Sequence, residues 1–178
     1  MHRTAAVGVA PLKTKTVMLN AQVVSSPKRH ANLQLDRQLC FAMYSATHAM
    51  TRSYRRALAA VGLTYPQYLV MLVLWENDGI SISEIASILE LDKPSITPVV
   101  RRLELTGLLK RVRVVGDDRM WSIKVQPKGK KIQNEVADIQ MDMVCRTGLE
   151  GREFDRLKTS LHKVAARLNL ALEVRTQI

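Results

Sequence analysis

The residues of this sequence with the clearest redox chemistry are two cysteines, Cys40 and Cys145, which lie far apart in the chain. A thiolate is the nucleophile that attacks a peroxide, and hydrogen-bond donors that favour the anion lower the pKa of a thiol. Tyrosine hydroxyls are such donors, and Tyr44 shares a helix face with Cys40 because it lies four residues further on. The pattern indicates a reactive thiol; the alternative is a small buried hydrophobe in a helix interface, the usual role of a lone cysteine.

Tyr54 has roughly the same helical phase as Cys40, because fourteen residues are nearly four whole turns. Along a continuous helix, however, the two residues are about 21 Å apart at ~1.5 Å per residue. A contact between them must therefore come from an antiparallel second chain. The spacing predicts that a thiol site containing both residues requires a dimer.

Positive charge is concentrated in two parts of the chain. The formal net charge is +11 and the sequence pI is about 10.1. Between residues 93 and 131 there are eleven Lys or Arg against three acidic residues, a local excess of +8, and residues 1–32 carry +5 with no acidic residue. A chain this basic attracts phosphate, so the charge predicts a polyanionic partner.

The 178 residues suffice for one domain with its own core, without a metal or disulfide. Residues 1–30 lack sustained periodicity and are expected to be a flexible basic arm; residues 31–178 are expected to form a single domain. No run approaches the roughly 18 apolar residues of a membrane span, and no secretory signal is recognised at the amino terminus. A cytoplasmic protein that binds no membrane is expected.

Hydrophobic periodicity predicts helices over residues 33–60, 67–76, 84–89, 92–106, 127–146 and 153–173. Thr64 and Ser83 are the expected amino-terminal caps of the second and third helices. An extended segment is predicted at 80–82. Residues 109–115 and 121–125 are rich in β-branched residues and flank the turn sequence 116–118, which predicts a hairpin. Pro98 disfavours helical geometry at Thr97, so the regular fourth helix is expected to begin only at Ser95.

Two short helices followed by a hairpin form the order of a winged helix-turn-helix, here over residues 64–126. On the helix that follows residue 92, Ile96, Val100 and Leu103 share the predicted core face. The opposite side and the amino end would face the major groove, where short side chains reach base edges and arginines reach guanine or phosphate. The predicted DNA-contacting residues of this helix are Lys93, Ser95, Thr97, Arg101 and Arg102. In the hairpin, Arg119 is expected to enter the minor groove with Asp117 orienting it.

The sequence resembles the MarR family, and within it the organic-hydroperoxide-sensing OhrR branch, in the stretches LDRQLCFAMYSATHAMTRSYRRAL, GLTYPQYLVMLVLWENDG, LDKPSITPVVRRLELTGLLKR and DDR. The resemblance implies a mainly α-helical fold with a small β-hairpin wing. It also implies an intertwined homodimer that uses residues 33–61 and 127–178 as dimerisation helices. Each subunit would present one recognition helix and one wing to a pseudo-palindromic operator in double-stranded DNA.

The resemblance also implies roles for the cysteines and tyrosines. The family sensor is the cysteine of LCF, here Cys40, which organic hydroperoxide oxidises; the tyrosines that hydrogen-bond its thiolate correspond to Tyr44, Tyr54 and Tyr65. A two-cysteine subgroup has a resolving cysteine in the helix after the wing, and Cys145 matches it. A sulfenic acid on Cys40 would condense with Cys145 of the other subunit, and because a disulfide needs a Cα separation below about 7 Å, helices would have to move. The implied function is a repressor that oxidation releases from DNA.

The sequence departs from the family pattern at three places. Lys93-Pro94 replaces the usual Ser-Gly at the start of the recognition helix, and VQPKG replaces the common LTEAG after the wing. Trp121 stands in the wing where the family usually has a smaller or charged residue. We expect a different operator sequence and different wing contacts.

Two other functions remain open at the level of sequence. Many proteins of the resembled family release DNA on binding a phenolic or aromatic carboxylate molecule, in which case Cys40 only packs. A thiol-dependent enzyme is the second, but no Cys-His pair is evident and the remote cysteines with scattered histidines make no zinc site. No enzyme activity, cofactor or metal is expected.

Overall fold

The computed structural model describes residues 33–114 and 117–176, and within these ranges the side chains of all residues except 114, 117–120 and 173–176. The predicted basic arm, residues 1–30, lies outside the described residues. The chain groups into two compact units, residues 1–43 and residues 44–178.

The described residues are mostly helical, with one antiparallel pair of strands, so the predicted fold class is confirmed. Short 3₁₀ turns at Leu35–Arg37 and Ala59–Val61 flank the first helix. In chain order the elements are α1 (Leu39–Leu58), α2 (Tyr65–Glu76), α3 (Ile82–Ile88), α4 (Lys93–Leu105), β1 (Leu109–Val114), β2 (Asp117–Val125), α5 (Pro127–Lys131), α6 (Gln133–Arg146) and α7 (Gly151–Thr176).

The first, fifth and last predicted helices have different bounds in the structure. The predicted helix 33–60 is a 3₁₀ turn, a break at Gln38 with extended backbone, and then α1. The predicted helix 127–146 is divided at Ile132, where α5 ends and the chain passes directly into α6. The last helix is longer than predicted by two residues at its start and three at its end.

The third helix begins earlier than predicted because Ser81, not Ser83, caps it. The backbone N–H of Glu84 donates to Ser81 Oγ at 3.2 Å, and the backbone N–H of Ser81 donates to Glu84 Oε2 at 2.8 Å. This reciprocal pair is a capping box, which Ser83 has no partner to form. Of the predicted extended segment 80–82, Ser81 has extended backbone, whereas Ile82 begins the helix. The carbonyl oxygen of Ile80 accepts from Ile123 N at 2.8 Å.

Two further boundaries also differ from prediction. The regular fourth helix begins at Lys93 rather than Ser95, with Pro98 inside it. Asp117 and Asp118, predicted as turn residues, belong to β2, and the strand register shifts between Arg113 and Val114. The residues that remain for the turn, 115 and 116, lie outside the described residues.

The core lies around α2, whose buried side chains point in several directions. Val70, Met71 and Leu74 are fully buried, and α1, α3, α4 and the hairpin contribute the buried residues Leu58, Ile85, Ile96, Val100, Leu103, Leu109 and Ile123. A helix that is buried around most of its circumference has little polar surface, which accounts for the apolar run in the sequence, although Leu72 remains exposed.

No single helix in residues 33–114 and 117–176 is long and apolar enough to span a membrane. One pair, Leu39–Val61 with Tyr65–Glu76, reaches that length and composition together and is bent by 71°.

Gly129 allows α5 to pack closely against the loop before β1, and this contact gives a test of the fold. A methyl group at Gly129 would lie 2.5 Å from the carbonyl oxygen of Leu108 and 2.9 Å from Val125 Cγ1. Alanine normally stabilises a helix relative to glycine. Here we expect Gly129→Ala to lower the free energy of unfolding by about 1–3 kcal/mol, because overpacking moves the backbone.

Gly151→Ala is the matched control, since a methyl group there has no neighbour within 4 Å. Urea denaturation followed by circular dichroism should show an unchanged or raised midpoint for Gly151→Ala and a lowered one for Gly129→Ala. Equal midpoints for the two variants would contradict the close packing of α5.

Candidate nucleic-acid interface and thiol sites

The amino end of α4 is fixed by a capping residue and an early proline. Asp92 precedes the helix with extended backbone, and its Oδ1 accepts the backbone N–H of Ser95 at 2.8 Å. Hydrogen bonds from the side chain and the backbone of Ser95 hold the pKa of Asp92 below its ordinary value. Pro94 follows at a position where its missing N–H costs nothing. The helix therefore starts at a defined residue even though it contains Pro98.

The two faces of α4 separate apolar and cationic residues as predicted. Ile96, Val100 and Leu103 are buried against the core. Of the predicted DNA-contacting residues on this helix, Thr97 is half-buried and its hydroxyl donates to the Lys93 carbonyl oxygen at 2.8 Å. The other four are exposed: Lys93, Ser95, Arg101 and Arg102. The structure thus leaves this side of α4 open to a partner, and the contacts themselves stay predictions.

Glu104 joins α4 to the hairpin. Its Oε1 accepts the backbone N–H of Arg111 at 3.1 Å, and its Oε2 lies 3.1 Å from Arg111 Nε in an ion pair whose angle does not make a hydrogen bond. Asp117 and Arg119, the predicted minor-groove residues, lie in β2, and their side chains are outside the described part of the chain.

Arg113 and Trp121 form a cross-strand pair that the sequence reading did not bring together. They are register partners in the hairpin, and the Arg113 guanidinium carbon lies over the Trp121 ring, 5.1 Å from its centroid. Trp121 is 45% exposed. The sequence marked Trp121 as unusual, but its partner follows only from the strand register.

Two of the three predicted tyrosines lie together, with a third that the sequence reading missed. The rings of Tyr54 and Tyr65 have centroids 5.3 Å apart, and Tyr68 lies 5.1 Å from Tyr54 and 5.9 Å from Tyr65. We call these three residues the tyrosine cluster. Tyr65 and Tyr68 are three residues apart on α2, a spacing that could have indicated the third member. Tyr44 is exposed and packs on His48, with centroids 4.3 Å apart.

Burial within the tyrosine cluster raises the pKa of two hydroxyls. Desolvation is the main cause for both Tyr65 and Tyr68, because the phenolate loses water there. A hydrogen bond to Tyr54 raises the pKa of Tyr68 further, and proximity to Tyr54 adds to the shift of Tyr65. Both side chains therefore remain neutral hydrogen-bonding groups at physiological pH.

Both cysteines are free and exposed in the single chain. Cys40 lies in the first turn of α1, and Cys145 lies in the last turn of α6. The first belongs to the unit of residues 1–43 and the second to the unit of residues 44–178. Each thiol is accessible to a small oxidant or to a second chain.

Two neighbouring cavities lie along α1 and α6. The first, of about 670 Å³, is lined by four arginines, Arg52, Arg55, Arg56 and Arg146, and by small or apolar side chains. The second, of about 460 Å³, is mainly apolar and includes Tyr54, Met143, Phe154 and Leu157 in its lining. Neither cavity was anticipated from the sequence, since each needs helices that are distant along the chain.

The chain is similar to known transcriptional regulators along most of its length. It is 41% identical over 168 residues to the HTH-type transcriptional regulator TtmR of Methylorubrum extorquens, which covers 93% of this chain and 79% of that protein. It is 30% identical over 138 residues to the organic hydroperoxide resistance transcriptional regulator of Bacillus subtilis, covering 78% and 94% of the two chains.

Its fold is also found in solved structures of AbfR from Staphylococcus epidermidis. The structure of reduced AbfR bound to DNA matches with a TM-score of 0.69 and 28% identity, over 82% of this chain and 99% of that one. The disulfide form of AbfR matches with a TM-score of 0.57 and 29% identity, over 82% and 97%. The model of the MarR family matches residues 63–120, which include α2, α3, α4 and β1. The chain therefore belongs to the MarR family of DNA-binding transcriptional regulators.

Proposed function

We propose that this protein is a homodimeric repressor that leaves its operator when an organic hydroperoxide oxidises Cys40 and an intersubunit disulfide to Cys145 follows. It acts in the cytoplasm on a pseudo-palindromic site in double-stranded DNA. The observation that carries the proposal is that both cysteines are free and exposed in a chain similar to an organic hydroperoxide resistance regulator.

The reading surface consists of the exposed side of α4 and the hairpin. Burial of Ile96, Val100 and Leu103 holds α4 against the core, so the basic residues on its exposed side keep a constant arrangement. Arg101 and Arg102 lie three and four residues after Pro98 and reach guanine edges or phosphates, while Ser95 approaches base edges near the amino end. Asp117 and Arg119 are assigned to the minor groove.

Dimerisation is supported by apolar side chains that the single chain leaves in water. On α7 these include Leu157, Leu161, Leu168, Leu170 and Leu172, and near the start of the described chain they include Leu33, Leu35, Leu39 and Phe41. A row of exposed leucines on a long helix marks an interface rather than ordinary surface. We assign a second copy of this chain to these two apolar surfaces. A dimer agrees with a pseudo-palindromic site, because each subunit carries one α4 and one hairpin.

The oxidation begins with attack of the Cys40 thiolate on one peroxide oxygen. The O–O bond breaks, an alcohol leaves after taking up a proton, and the sulfur becomes a sulfenic acid. The Cys145 thiol of the other subunit then attacks that sulfur, an S–S bond forms and water leaves. The hydroperoxide is reduced by two electrons, and the two thiols supply them.

The tyrosine cluster is proposed to supply hydrogen bonds to the thiolate of a second protomer. The hydrogen bond to Tyr54 raises the pKa of Tyr68, so Tyr68 keeps its hydroxyl hydrogen at physiological pH. Tyr54 is the member of the cluster proposed to donate to the thiolate. Tyr44, on α1 with Cys40, and Tyr65 complete the proposed set of donors.

A second candidate function is release of DNA by a small ligand without thiol chemistry. It is favoured by the two cavities along α1 and α6, because an apolar space beside arginines fits an aromatic carboxylate. Salicylate added with dithiothreitol should then weaken DNA binding, and Arg52→Gln should reduce that response. Salicylate without effect under reducing conditions would count against this function for that ligand class.

The central prediction concerns Cys40. Cumene hydroperoxide should lower the affinity of the wild-type protein for a DNA duplex selected by it, whereas Cys40→Ser should bind equally before and after treatment, since no sulfenic acid forms. Band shifts measure the affinity, and dithiothreitol should restore wild-type binding.

Cys145→Ser is the matched control for that experiment. It should form the sulfenic acid, detected with a dimedone probe, but no covalent dimer on a non-reducing gel. Release of DNA from Cys40→Ser by the hydroperoxide would contradict the sensor assignment, and a covalent dimer of Cys145→Ser would contradict the resolving role.

A separate prediction concerns the reading surface on α4. Arg101→Ala should weaken binding to the selected duplex by about tenfold, as expected for loss of a base or phosphate contact. Arg152→Ala, which removes the same charge from the exposed first turn of α7, should bind like wild type. Fluorescence anisotropy at fixed salt measures both, and equal loss in the two variants would indicate a net-charge effect only.

A further inference from the structure

The turn between α3 and α4 holds Glu90 in a backbone conformation that glutamate disfavours. Its φ is 54°, and within residues 33–114 and 117–176 it is the one residue other than glycine with a positive φ. This left-handed region favours glycine, because a Cβ atom there crowds the backbone. Backbone hydrogen bonds keep the turn in place, from Glu90 N to the Ser87 carbonyl oxygen at 3.1 Å and from Leu91 N to that of Ala86 at 2.9 Å. A glutamate kept in a strained position points to a role for its side chain.

The side chain of Glu90 contacts the last helix of the same chain. Asn169 Nδ2 on α7 donates to Glu90 Oε2 at 3.0 Å, across 79 residues of sequence. Both residues belong to the unit of residues 44–178. This contact is the structural link between α7 and the turn that precedes the reading helix.

The same helix carries the apolar surface assigned above to a second copy of the chain. Leu157, Leu161 and Leu168 are exposed, and their spacing of four and seven residues places them on one face of α7. Asn169 follows Leu168 directly, so it lies about 100° further around the helix. In the proposed dimer, α7 would therefore contact the other subunit along one face and the turn of its own reading unit beside that face.

Glu90 is connected to the start of α4 by a very short segment. Asp92, two residues later, caps α4 by accepting the backbone N–H of Ser95. Because so short a segment has little freedom, a contact that holds Glu90 also holds the amino end of α4. A symmetric dimer contains this contact twice. The two contacts together would set the separation of the two reading helices.

We infer that Asn169 is a positioning residue of the reading unit, whose hydrogen bond to Glu90 makes DNA binding selective for the spacing between the two half-sites. The inference rests on the proposed function as a dimer that reads DNA, and it does not depend on the thiol chemistry. The separation of two reading helices must match the spacing of two half-sites. One base pair more or less changes that spacing by about 3.4 Å, which reading helices free to shift would tolerate better.

The test compares three duplexes, using the reduced full-length protein in dithiothreitol. One is a duplex selected by the wild-type protein, and the others have one base pair added or removed between its half-sites. Fluorescence anisotropy at fixed salt measures the dissociation constants, and the wild-type protein should prefer the selected spacing. In Asn169→Ala this preference should fall about threefold, as expected for loss of one hydrogen bond. Glu90→Gln should keep the preference, because its amide oxygen still accepts from Asn169.

Glu90→Gly removes the acceptor and relieves the backbone at the same time. It should lower the spacing preference as Asn169→Ala does, with an unchanged or raised midpoint of thermal unfolding, which separates positioning from stability. The double variant should lose no more than either single variant, since both remove one interaction. Asn134→Ala is the matched control, because it removes the same amide from an exposed position on α6. It should keep the wild-type preference.

Four results would overturn the inference while leaving DNA binding intact. They are an unchanged preference in Asn169→Ala, an equal loss in Asn134→Ala, additive losses in the double variant, and a wild-type protein that binds all three spacings equally. A wild-type protein with which no duplex can be selected would overturn both this inference and the proposed function.

Discussion

The reading surface depends on the burial of one apolar stripe, Ile96, Val100 and Leu103, between α4 and the core. Full burial of each such side chain stabilises by about 1.5–3 kcal/mol. The ion pair between Glu104 and Arg111, with both side chains about a third exposed, is of the kind that contributes roughly 0–1 kcal/mol. The stripe therefore holds α4 in place, and the ion pair chiefly fixes its orientation relative to the hairpin.

The base of the hairpin is attached to the core by hydrogen bonds from several elements. Asp78 Oδ1 accepts the backbone N–H of Val125 at 2.8 Å, and the backbone groups of Gly79 and Ile80 bond to Ile123. Beyond the hairpin, Trp75 Nε1 donates to the Gly129 carbonyl oxygen at 3.1 Å. Because backbone groups make most of these bonds, they depend little on which side chains the wing carries. The wing can therefore differ from the family pattern, as at Trp121, without loss of its attachment.

The sequence predicted those features that depend on the periodicity of one helix. The spacing of Ile96, Val100 and Leu103 identified both faces of α4, because the geometry of a single helix determines which residues share a face. The predicted cap of α3 was wrong because both Ser81 and Ser83 are suitable capping residues. Only the reciprocal hydrogen bonds with Glu84 distinguish Ser81. The tyrosine cluster and the pair Arg113 with Trp121 join separate elements, so they need the packing of α1 on α2 and the strand register. The proposed bond between Cys40 and Cys145 involves a second chain, so no property of one chain determines it.

The charge of the oxidised products constrains how oxidation could release DNA. Neither a sulfenic acid nor a disulfide carries a negative charge, so oxidation of Cys40 adds no negative charge to a protein of net charge +11. By electrostatics alone it would not weaken binding to a polyanion. In the proposed mechanism, release therefore comes from geometry: a bond between α1 of one protomer and α6 of the other would change the separation of the two reading helices. Such a change requires helices that transmit movement, and the unbroken twenty residues of α1 are suited to that.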